Sequence, residues 1–349
     1  MAQETKRPSQ EATPPAHGEA QPAPETPQVA EQPLVLLAAP QIATPVTTQR
    51  IMLNVLIALA PAVVAAVAFF GLPALLVIAT AVASCEGFEW LWCKLRKTPN
   101  TATDLSAAVT GVLLAFNVPS TLPLYMVVIG SFVAIILTKM LFGGIGRNFA
   151  NPAIVGRIFL AVAFPVAMTT FVAPSLLFSP ADVVSSATPL AAKAAPLSLL
   201  ELGLGAHMGV LGETSALALL LGFVYLLATH TISWHVPVTY VGTVALLSLL
   251  AGRDPLAQAM SGGLLLGAIF MATDYTTSPA TRKGKVVFAL GCALITCLIR
   301  FWGNLNEGVA YSILFMNLLV PYIDSLTPNV PIGGEGARKA ARKKGEAHE

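Results

Sequence analysis

Asp182, Ser185, Ser186 and Thr188 fall within one short run, Asp182-Val183-Val184-Ser185-Ser186-Ala187-Thr188, closed by Pro189. Pro189 disfavours the α conformation for Thr188, and serine and threonine hydroxyls compete for backbone hydrogen bonds. The run therefore reads as an exposed, extended loop, and on residue types alone as an ordinary Ser/Thr turn. Two acids, Asp104 and Asp274, stand at the ends of apolar blocks. A carboxylate at a bilayer centre costs about 2.5 to 3.5 kcal/mol, so each lines an internal site or sits close enough to water to be solvated. Glu86 and Glu89 lie three apart on one helical face, a spacing that fits a cation site or a solvated cluster beside Lys94 and Arg96. Arg157 reads as a side chain that snorkels to a nearby interface. The spacings of Cys85 with Cys93, of Cys292 with Cys297, and of His207, His230 and His235 match no metal clip, so no metal site is assigned. The cysteines are expected to be buried, inert thiols.

The elements that must position these groups are apolar. The chain has 349 residues, 55% hydrophobic and 11% charged, with mean hydropathy +0.72. Soluble domains carry about 25% charged residues, so this is a polytopic membrane protein. The net charge of +2 and the scattered basic clusters give no nucleic-acid surface. With about 20 residues per span, membrane segments are expected near Ile51–Phe70, Pro73–Cys93, Asp104–Asn117, Leu122–Phe142 and Pro152–Val172. A second set follows near Ser215–Ala228, Val236–Ala251, Leu256–Ala272, Val286–Phe301 and Gly308–Ile323. The fold class is all-α, with about ten transmembrane helices in two five-helix halves, inverted because each half has an odd number of spans.

The layout is a disordered cytoplasmic N-terminal tail over 1–49, a first membrane half over 50–172 and a loop over 173–213. A second half over 214–324 and a basic cytoplasmic tail over 325–349 complete it. Arg50, Lys94, Arg96, Lys97, Lys139, Arg147, Arg282, Lys283 and Lys285 fall on one side of a ten-span arrangement, with Arg338 to Lys344. That side is the cytoplasm by the positive-inside rule, which puts the Thr188 loop outside. The third span of the first half is short, and its counterpart carries Gly262, Gly263 and Gly267. Such interruptions point either to a midplane site between the halves or to close packing through small residues. Asn151-Pro152 reads as a helix cap followed by proline at the first helical position.

The Asp182–Thr188 run resembles the flavinylation motif of the membrane subunits RnfD and NqrB, in which Asp, two free residues, Ser or Thr, a small residue, Ala and Thr follow in order. Asp182, Ser185, Ser186, Ala187 and Thr188 fill those places, with Ser186 where glycine is commoner. Phe142–Asn148 running into Asn151-Pro152-Ala153, Met271–Pro279 and Phe315–Pro321 are similar to the same proteins, and the resemblance covers about Ile51 to Asp324. It implies FMN joined through a phosphoester to Thr188 by a separate flavin transferase, and a second, noncovalent flavin such as riboflavin in the membrane part. The transferase needs a hydroxyl nucleophile on a segment small enough to thread into its cleft, which this run supplies. It also implies a multi-subunit complex in a prokaryotic inner membrane that links ferredoxin and NAD, through partner subunits, to ion movement. A solute channel or secondary transporter with inverted repeats is the alternative.

Overall fold

The structure, a computed structural model, describes residues 46–172, 174, 203, 205, 209–213, 215–303 and 308–328. The Asp182–Thr188 run and both tails lie outside the described residues. Every regular element among the described residues is helical, and the chain is a multi-pass membrane protein.

Helix α1, Thr48–Arg96, covers both of the first two expected spans in 49 residues, more than twice the length of one crossing. No loop divides them. The break is Gly71, whose φ of 65° and ψ of −146° are non-helical and open to a residue without Cβ. Then come α2 (Ser106–Phe116) and α3 (Leu124–Phe132), the latter running on through a wide turn over Val133–Met140. In that turn the Leu141 N–H reaches back five residues to the Ile136 carbonyl. Helix α4 is Pro152–Ala163, with the Asn151 side chain accepting from the Ala153 N–H and Pro152 first in the helix, as the sequence predicts. Phe164 interrupts before Pro165, and α5 is only Pro165–Thr169, so the fifth expected span is split.

After residue 214 come α6 (Ala216–Ala228), α7 (His235–Leu250), α8 (Pro255–Met260), α9 (Leu264–Leu266, continued by a wide turn to Met271), α10 (Arg282–Trp302) and α11 (Val309–Leu326). By length and composition α1, α10 and α11 are able to cross a membrane; α2, the Leu124–Met140 run, α4, α6 and α7 are shorter apolar helices.

Both segments expected as third spans are broken. The first begins at Leu105 (φ 65°) and the second at Gly262 and Gly263 (φ 69° and 64°), each just ahead of a buried half-helix. For leucine, the left-handed conformation costs of order 1–3 kcal/mol and marks a position held by its surroundings. Small residues bring the helices close: a Cβ on Gly111 would meet the Val82 backbone, and one on Gly222 the Ala58 carbonyl. The first stretch of α1 thus packs on α6, and the second on α2. The four cysteines are free and buried, as expected.

Candidate functional site

The half-helix Ser106–Phe116 has a polar cluster at each end. At the Ser106 end, Lys139 projects from the wide turn after α3 and donates to Glu89 Oε2 at 2.6 Å and Ser106 Oγ at 2.5 Å. Thr101 Oγ1 donates to Glu89 Oε1 at 2.6 Å. Glu89 is 0% and Lys139 3% exposed. Neither reading of the acidic pair, as a bare cation site or as a solvated cluster, describes Glu89. Both its oxygens are engaged inside the protein, by a lysine counted in the sequence only as a mark of the cytoplasmic side. Asp104 Oδ1 accepts from the Ser106 N–H at 2.8 Å and from the Ser106 hydroxyl, fixing the first turn of α2 after the Leu105 break.

A cavity opens beside this cluster. Ser106, Thr110 and Lys139 line one side, Asn148, Asn151, Thr273, Asp274 and Thr276 another, and Met52, Val55, Val109, Leu113 and Phe270 are among its apolar lining. Asp274 is half-buried and accepts from the Thr276 N–H at 3.3 Å, Thr276 Oγ1 at 3.1 Å and Thr277 Oγ1 at 3.2 Å. Burial pushes its carboxyl above the ordinary carboxylate range, and the two threonines pull against that rise. The two candidate acids therefore meet one cavity, Asp274 directly and Asp104 through Ser106.

The same place joins the three stretches that carry the family resemblance in the membrane part. Asn148 Nδ2 donates to Thr276 Oγ1 at 3.1 Å and Asn151 Nδ2 to the Met271 carbonyl at 3.4 Å. With its amide assigned from its hydrogen-bond partners, Asn317 Nδ2 donates to the Thr277 carbonyl at 3.0 Å and Oδ1 accepts from the Asn151 N–H at 3.2 Å. Residues from α4, the segment after α9 and α11 are thereby locked to one another.

At the other end of α2, Arg157 Nε donates to the Asn117 carbonyl at 3.4 Å, and Asn117 Nδ2 lies 3.6 Å from Met271 Sδ. Arg157 is 7% exposed and faces the charge of buried Glu213, so the snorkelling reading is overturned: its guanidinium points into the protein. Arg300 is also buried and holds the second broken span. It donates to the carbonyls of Gln258 (2.7 Å), Ser261 (2.9 Å) and Gly262 (3.0 Å). Lys139, Glu213 and Arg300 are the residues that sequence reasoning undervalued. The available signal was their position within or beside apolar runs, where a charge is costly.

The chain's similarities extend over nearly its full length. It is 45% identical over 317 residues to the D subunit of the Na(+)-translocating ferredoxin:NAD(+) oxidoreductase complex of Acetobacterium woodii, covering 88% of this chain and 98% of the relative. It is 42% identical over 326 residues to the D subunit of the proton-translocating ferredoxin:NAD(+) oxidoreductase complex of Clostridium ljungdahlii, covering 88% and 98%. The D subunit of the ion-translocating oxidoreductase complex of Stutzerimonas stutzeri is 38% identical over 318 residues, covering 80% and 90%. The sequence profile of the NQR2, RnfD, RnfE family matches residues 35–333, and the chain belongs to that family.

Proposed function

We propose that this chain is the D-type membrane subunit of an ion-translocating ferredoxin:NAD oxidoreductase complex and carries FMN as a phosphoester on Thr188. The observation that carries the reading is similarity along almost the whole of relatives bearing that name, together with the complete Asp182–Thr188 run. A separate transferase joins the FMN half of FAD to the Thr188 oxygen, breaking the pyrophosphate bond, with AMP as the leaving group and the hydroxyl proton lost. When bound, the flavin supplies the redox chemistry, relaying electrons between ferredoxin and NAD couples held by partner subunits.

The Asp274 cavity suits the second, noncovalent flavin. Its apolar lining matches a flat ring system, and its polar end offers the Lys139 ammonium, the Asn148 and Asn151 amides and the Asp274 carboxylate to a heterocycle edge. Lys139, held by Glu89, would present a positive charge to a bound ring at the polar end of the cavity. The apolar residues exclude water from the face, and Thr276 and Thr277 hold Asp274 as an acceptor.

The broken third spans support two inverted five-helix halves making ten passes through a bacterial inner membrane, and the distribution of lysine and arginine supports cytoplasmic termini with the Thr188 loop outside. The same breaks favour a second reading, a solute channel or secondary transporter, which a labelled-solute flux assay on the isolated subunit tests. Absence of flux counts against it. The redox reading is tested on a denaturing gel after expression with a competent flavin transferase. Flavin fluorescence stays with the wild-type band and vanishes in Thr188→Val; a dark wild-type band overturns it.

A further inference from the structure

The proposed flavin sites leave one buried acid unused. Glu213 is 5% exposed, lines a small cavity with Asn117, Arg157 and Gly263, and its Oε1 has no hydrogen-bond partner among the described residues. That oxygen faces the start of the second broken span, where a Cβ on Gly263 would lie 3.3 Å from it. A buried polar atom without a partner is destabilising, and in native proteins each such atom calls for an explanation. We propose that Glu213 Oε1 is a proton-accepting site of the ion-translocation cycle, an inference that rests on reading the chain as a subunit of an ion-translocating complex.

The neighbours decide between a proton and a metal cation. A hard cation needs several oxygens at once. Two lining carbonyl oxygens are already engaged, Gly262 accepting from Arg300 and Asn117 from Arg157, and the neighbouring Ser261 carbonyl also accepts from Arg300. Those guanidinium groups would also face the incoming ion, since the charges acting on Glu213 among the described residues are Arg157 and Arg300. Tyr311 faces Arg157, and Tyr240 faces Arg300. A proton needs one free oxygen, which Oε1 supplies. On uptake the Oε1–H bond forms with a proton from water and the carboxylate charge is lost; on release the carboxylate and the hydrated proton are restored. No electron moves in either step.

The test is redox-difference infrared spectroscopy on the whole purified complex, in water and in heavy water, with ferredoxin–NAD electron transfer measured on the same sample. The expected result is a carboxylic-acid C=O band that shifts down in heavy water, disappears in Glu213→Gln and returns at a shifted frequency in Glu213→Asp. In an active wild-type complex, lack of a band that responds to heavy water overturns the proposal without any variant having to assemble. Persistence of the band in an assembled Glu213→Gln complex overturns it too. Loss of the wild-type band on exchanging choline for sodium assigns a metal cation instead and contradicts the proton assignment. Failure of ferredoxin–NAD electron transfer in the native complex sinks the underlying functional reading, a result distinct from these.

Discussion

Lys139 and Glu89 carry the sharpest residue-scale expectation. Removing one member of a buried ion pair costs about 3–5 kcal/mol because a charge is left without compensation, whereas replacing both with apolar residues of similar volume is often close to neutral. Lys139→Met therefore lowers the thermal midpoint of the detergent-purified complex, and the double variant Lys139→Met with Glu89→Leu recovers most of that loss. A double variant as unstable as the single one contradicts this reading of the pair. Asp274→Asn tests the cavity: noncovalent flavin released by acid falls several-fold per complex while the flavin fixed to the polypeptide is unchanged. The sequence offers Asp274 and Asp104 as candidates because charges at the ends of apolar blocks are conspicuous. It hides the Glu89–Lys139 contact, since nothing local to either residue names a partner fifty positions away.

At the scale of elements, close packing through Gly111 and Gly222 joins the two stretches of α1 to α2 and α6. Gly222→Leu drives a side chain into the Ala58 backbone, at a cost of about 1–3 kcal/mol or more, and is expected to reduce the yield of assembled complex more than Gly242→Leu, where a Cβ meets nothing within 4 Å. Equal yields would contradict that packing. The helix start at Asn151-Pro152 is legible, because an amide acceptor followed by a residue without an N–H is a local signal. So is the break at Gly262-Gly263. The matching break at Leu105 is not: leucine carries no preference for the left-handed conformation, and Asp104, Ser106 and the surrounding helices hold it there. The split of α1 at Gly71 shows in the sequence as a boundary between spans, but not as one residue in an otherwise unbroken helical run.

For the whole molecule, composition and the apolar blocks make the all-helical membrane character plain, and every expected segment contains helix. Which helices touch is hidden, since lipid-facing and interior positions are alike apolar and give little amphipathic contrast. Sidedness rests on the distribution of lysine and arginine. A membrane-impermeant thiol reagent applied to intact cells is expected to label Lys193→Cys, in the same 173–213 loop as Thr188, and to label Lys283→Cys only after the membrane is opened; the reverse pattern overturns the proposed orientation. On the proposed function, the loop outside the membrane carries the flavin. Mass spectrometry of the peptide containing Thr188, taken from the native and functioning complex, tests it most directly. The expected result is a mass increase equal to FMN less one water, localised to Thr188; an unmodified peptide from an active complex contradicts the claim.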